Sequence, residues 1–121
     1  MRIAICTDHP SMGELLKKWT QQYCELYQIE PDISLFSDAE GLLNTPDSGG
    51  YHTTFVRLRG PEGFHSARRL REERRNSRII FVADTMEYAI PCIRLHFTDY
   101  LVMPLTFRSF TRAAQLAGIG K

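Results

Sequence analysis

With 121 residues, 43% of them apolar and 24% charged, the chain has the make-up of a single soluble domain, residues 1–121, able to bury about two-thirds of its unfolded surface without staples. Lys plus Arg number 15 against 14 Asp plus Glu, and a net charge of +1 excludes a strong general pull towards nucleic acid or a membrane surface. No apolar run approaches the roughly 20 residues of a bilayer span, and Met1-Arg2 leads into only four apolar residues, too few for a signal peptide, so a cytoplasmic location is expected.

The first strand is the apolar run Arg2 to Cys6, followed by the polar loop Thr7-Asp8-His9-Pro10. Ser11 with Glu14 three residues on reads as a capping box, and Leu15, Leu16, Trp19, Tyr23, Leu26 and Tyr27 recur at helical spacing to about Gln28. Ile33, Leu35 and Phe36 make a second strand, and Ser37-Asp38 offers an N-cap for a short helix to Leu43. Residues 44–50, NTPDSGG, form a turn cluster.

The stretch Tyr51 to Gly63 carries the most information. Its apolar run, about Thr53 to Leu58, ends at Arg57 and a Gly60-Pro61 turn, which reads as a buried strand delivering Arg57 to the mouth of a sheet. A third helix is expected from about Phe64 to Arg75, and a fourth strand over Ile79–Ala83, stopped by Asp84-Thr85. Met86 to Leu95 reads as a helix that Pro91 should kink or shorten. Tyr100 to Met103 is a fifth strand ended by Pro104, and Thr106 caps a last helix with Phe107, Phe110, Ala113, Ala114 and Leu116, fraying over Gly118 to Lys121.

Five buried strands alternating with five helices predict an α/β fold. The sheet is parallel and doubly wound, with flavodoxin-like order 2-1-3-4-5. Open sheets of this kind place their chemistry outside the carboxyl ends of the strands, where Arg57 should stand.

In element order and spacing the whole chain resembles the receiver domain of bacterial response regulators. The LytTR-type branch is the most similar, on MRIAIC before an acidic loop, Phe36-Ser37, Ile79-Ile80-Phe81-Val82 followed by Glu87-Tyr88-Ala89, and Asp99-Tyr100-Leu101 before Pro104. In that branch the domain precedes a DNA-binding domain, so DNA is expected to be reached only through a domain not present in this chain. A working receiver moves a phosphoryl group from a histidine kinase to an aspartate, with Mg²⁺ held by carboxylates and the product read by a hydroxyl and a lysine.

Carried across position by position, the resemblance puts Thr7 and Asp8 at the acidic pair, Arg57 at the phosphoacceptor, Ala83 at the switch hydroxyl and Met103 at the lysine. Four of the five roles are lost, and arginine offers no oxygen to phosphorylate. The resemblance therefore implies a pseudo-receiver, without Mg²⁺ or another cofactor. Tyr100 matches the switch aromatic, and Pro104 the proline whose preceding bond is cis. An ion pair from Arg57 to Asp8 is expected from position, the alternative being an Arg57 that extends into solvent. The face where receivers dimerise would present Glu87, Ile90, Arg94, Phe107, Arg108 and Ala114.

Two versions of the function follow. One is part of a LytTR-like transcription regulator that dimerises; the other is a stand-alone adaptor for a kinase or another regulator. In both the partner is a protein, either a second copy or another signalling protein, and no membrane is involved. A flavodoxin-like enzyme or ligand-binding domain is the distant alternative. Asp8, His9, Asp84 and Cys6 would gather near the sheet mouth, but without motif spacing or a glycine-rich phosphate loop, so an enzyme is not expected.

The odd count of three cysteines, Cys6, Cys24 and Cys92, reads as buried reduced thiols, and the four scattered histidines do not suggest a metal site. Arg68, Arg69, Arg71, Arg74, Arg75 and Arg78, interrupted by Glu72 and Glu73, read as a solvated helix face, with an acidic protein partner as the alternative.

Overall fold

The computed structural model describes residues 1–45, 50–74 and 76–120. Its elements run β1 (Arg2–Thr7), α1 (Pro10–Leu26), β2 (Asp32–Phe36), α2 (Ala39–Leu43), β3 (Thr53–Arg57), α3 (Gly60–Glu73), β4 (Arg78–Ala83), α4 (Ala89–Arg94), β5 (Asp99–Val102) and α5 (Phe107–Leu116). The five strands form one sheet in the order β2-β1-β3-β4-β5, every pair parallel. Strand periodicity explains its two apolar layers, because successive side chains point to opposite faces. Ile3, Ile5, Phe55, Ile80 and Val82 pack with Leu16, Tyr23 and Phe110 of α1 and α5, while Ala4, Cys6, Val56, Ile79 and Phe81 pack with Leu42, Phe64, Leu70 and Cys92 on the other side.

Local chemistry moves several helix ends from their predicted positions. α1 starts at Pro10 after His9, with no side-chain cap; Pro at the first helical position leaves nothing for a Ser11–Glu14 box to do. Leu26 and Tyr27 are exposed at its end, the inner stripe being Leu16, Thr20, Tyr23 and Cys24. Asp38 caps α2 by accepting from the Gly41 N–H. α4 is only six residues long, with Pro91 in its first turn, where a missing N–H costs nothing, so the proline shortens the helix and does not kink it.

At α5, Thr106 and Ser109 form a reciprocal capping box. The described residues after α5, to Gly120, do not fray, and Lys121 lies outside the described residues. Gly118, at φ 79, lets the Ile119 N–H reach the Ala114 carbonyl at 3.0 Å, which closes a Schellman motif and buries Ile119 against α1.

The arginine-rich helix is not a simple solvated face. Arg74 reaches the carbonyls of Leu42, Leu43 and Thr45 and closes the end of α2, while Arg71 bonds the carbonyls of Ser77 and Arg74. Arg69 pairs with Glu40 and Glu73, and Arg68 with Glu72. Arg75 and residues 46–49 of the predicted turn cluster lie outside the described residues.

Candidate functional site

The carboxyl ends of β1, β3 and β4 meet where the register sets Thr7 beside Arg57. β3 is buried along its whole length, so its last side chain has no lateral route to water and leaves through the mouth of the sheet. Arg57 does not reach Asp8 and does not extend into solvent. Its side chain is 8% exposed, and Nη2 donates to Asp84 Oδ1 at 2.7 Å, on the β4 side. The expected Arg57–Asp8 pair is thus replaced by Arg57–Asp84. Asp8 lies on the β1 side with its carboxylate 3.8 Å from His9 Nε2, and His9 Nε2 in turn accepts from Arg59 Nε at 3.2 Å. Thr7 Oγ1 is occupied too, accepting from the His9 N–H at 3.1 Å. Cys6 is fully buried below the mouth, and burial pushes its thiol up to about 12, with Asp38 and Asp8 adding to the shift.

Asp84 begins the loop to α4, and that loop is held from three directions. Arg57 of β3 takes Asp84; Tyr100 of β5 donates its hydroxyl to the Thr85 carbonyl at 2.6 Å; and Tyr88 stacks on Phe64 of α3 with ring centroids 5.0 Å apart. The Tyr88 N–H also donates to the Tyr100 hydroxyl at 3.4 Å, and the Tyr100 ring lies on Phe81 at 5.5 Å. Burial raises the Tyr100 phenol above its ordinary value. Ala83 is buried at the end of β4, and its carbonyl accepts from the Met103 N–H at 2.9 Å. The Met103–Pro104 bond is cis.

Solved structures with this architecture include the response regulatory domain of protein mrkE from Klebsiella pneumoniae, matched over 98% of this chain and 95% of that one with a TM-score of 0.79 and 16% identity. The fold is that of a response-regulator receiver domain. The receiver domain of NtrX from Brucella abortus matches over 95% and 96% with a TM-score of 0.77 and 14% identity. The response regulator TrrA from Thermotoga maritima, solved with Mg²⁺ and BeF, matches over 96% and 97% with a TM-score of 0.74 and 21% identity. No protein-family profile and no curated protein matches the chain.

The receiver fold implies Mg²⁺ at this mouth, and the residues here do not fit it. Mg²⁺ wants octahedral oxygen ligation through carboxylates, whereas Asp84 is paired with a buried guanidinium that stands between it and Asp8. Among the described residues no group of three His, Cys, Asp or Glu side chains gathers to hold a metal.

On the face expected over α4 and α5, Ile90 is 65% exposed and Glu87, Arg94 and Arg108 are exposed as well, while Met86 in the loop before α4 and Ile93 of α4 are 64% and 70% exposed. Two of the residues expected on that face behave differently. Ala114 is fully buried, because Phe110, Ala113, Ala114 and Ala117 recur at helical spacing and form the inner stripe of α5. Phe107 lends much of its ring to Trp19 and Phe110, at 5.8 and 6.2 Å. Ile93 reads in the sequence as an apolar helix position but was not placed on this surface, and Met86 lies in the loop before α4, where no helical spacing points to it. No described helix is long and apolar enough to cross a membrane.

Proposed function

We propose that the domain is a pseudo-receiver: a non-enzymatic signalling module that works by protein contact and accepts no phosphoryl group. The observation that carries the reading is Arg57, buried at the end of β3 where the resemblance puts the acceptor aspartate, and tied to Asp84. Phosphoryl transfer needs a nucleophilic oxygen and cations on the equatorial oxygens. Here the would-be nucleophile is a cation, and Met103 replaces the lysine. An internal ion pair takes the place of the phosphate-dependent contact and holds the β4–α4 loop in one state.

The exposed apolar side chains at α4 support self-association as the contact. Ile90 and Ile93 of α4 and Met86 in the loop before it are exposed, and acidic Glu87 and basic Arg94 lie in the same stretch of chain, a mixture that suits pairing with a second copy. Such a dimer suits a LytTR-like regulator that aligns DNA-binding domains. The test of the reading is intact-mass measurement after incubation with acetyl phosphate and Mg²⁺. An unmodified mass is expected, and a phosphoryl adduct on Asp8 or Asp84 would overturn it.

A further inference from the structure

We infer that the mouth of the sheet at Arg57 is a binding site for a small carboxylate carried on an apolar or aromatic body. The inference stands on the Arg57 geometry, whether or not the domain signals by contact. Nε and Nη2 share one edge of the guanidinium, and a carboxylate fits such an edge with both oxygens in two parallel bonds. Asp84 uses only half of it: its Oδ1 takes Nη2 at 2.7 Å, and the buried Nε has no partner among the described residues. A buried donor left unpaired costs free energy that a better-fitting anion recovers.

Asp84 is also easily displaced. Its side chain is 67% exposed against 8% for Arg57, so a carboxylate entering from solvent competes with a group that loses little by returning to water. Beside the pair lies a cavity of about 220 Å³ with Leu58, Pro61, Phe81, Ala83 and Tyr88 as its apolar walls; Glu87 also lines it, so a bound carboxylate belongs at the Arg57 end. That is below the roughly 300 Å³ at which drug-sized sites begin, so the ligand is small, and the walls suit a ring or short aliphatic body. Binding would take Asp84 off Arg57 and release one of the three holds on the β4–α4 loop.

Benzoate is the probe, with benzamide as its neutral counterpart and inorganic phosphate as a bare anion. The readout is the Arg57 Nε–H resonance, assigned by its loss in Arg57→Lys. Benzoate is expected to shift it saturably in the millimolar range, benzamide not at all, and phosphate more weakly. In Asp84→Asn the competitor is gone, and benzoate affinity is expected to rise about tenfold, a difference of about 1.4 kcal/mol. Absence of a saturable shift in both the wild type and Asp84→Asn overturns the site, as does a benzamide shift equal to that of benzoate. Phosphate binding as tight as benzoate overturns the carboxylate-on-apolar-body assignment. The Asp84→Asn comparison keeps the test decisive if Arg57→Lys folds poorly.

Discussion

Arg57 Nη2 meets Asp84 Oδ1 at 2.7 Å, yet the two ends of this ion pair live in different media: the arginine is 8% exposed and the aspartate 67%. The cost of breaking the pair therefore depends on which end is removed. Asp84→Ala strands a buried cation and is expected to cost roughly 1–3 kcal/mol, whereas Arg57→Met leaves a hydrated carboxylate and is expected to cost under about 1 kcal/mol. Urea unfolding of the two variants checks the order, and equal losses would mean that the guanidinium is solvated in solution.

Tyr100→Phe removes the hydroxyl that bonds the Thr85 carbonyl and accepts from the Tyr88 N–H. A loss of about 0.5–1.5 kcal/mol is expected, with faster hydrogen exchange at the Tyr88 amide and unchanged exchange in β1. Uniform acceleration across the sheet would show that Tyr100 supports the whole domain and not this loop.

Gly63 sits where the start of α3 crosses the end of β3, and a Cβ built there would collide with the Leu58 carbonyl oxygen. Backbone cannot yield as a flexible side chain would, so Gly63→Ala is expected to cost about 1–3 kcal/mol by thermal or urea unfolding. Wild-type stability in this variant would mean that α3 can lift from the sheet without penalty.

Much of this architecture is legible in the chain because buried parallel strands write themselves as short apolar runs, as at Ile3 to Cys6 and Ile79 to Ala83. The same logic places Arg57 at the mouth. What order along the chain does not encode is the sideways choice. Asp8 and Asp84 each stand one residue beyond a strand flanking β3, and only the packed structure turns the guanidinium to the second. Arg71 and Arg74 are hard to read for a similar reason, since the carbonyls they close belong to α2 and to the turn after α3, and charge counting sees only a basic helix. Ala114 was open to better reading, because the phase of Phe110, Ala113 and Ala117 already turns it inward.

His52 gives the molecule a pH dependence of definite sign. Burial, then Arg78 and the amino terminus, lower its value in the folded state below the ordinary 6.5. Above about pH 6.5 both states are neutral at this site and it contributes nothing. As pH falls below that value the unfolded chain binds the proton first, so stability declines until the lower folded value is passed. His52→Asn is expected to shallow this acid limb relative to wild type in unfolding measured from pH 7.5 to 5. Parallel curves would remove His52 as its source.

The account turns on contact through α4 in place of phosphoryl chemistry, and the most direct measurement is molar mass by light scattering across micromolar concentrations, for the wild type and for Ile93→Glu. Ile93 is 70% exposed, so the glutamate leaves the fold intact and puts a charge among the exposed apolar side chains at α4. A wild-type dimer that Ile93→Glu converts to monomer is the predicted result. A wild type that stays monomeric at every concentration, or a dimer indifferent to Ile93→Glu, would contradict it.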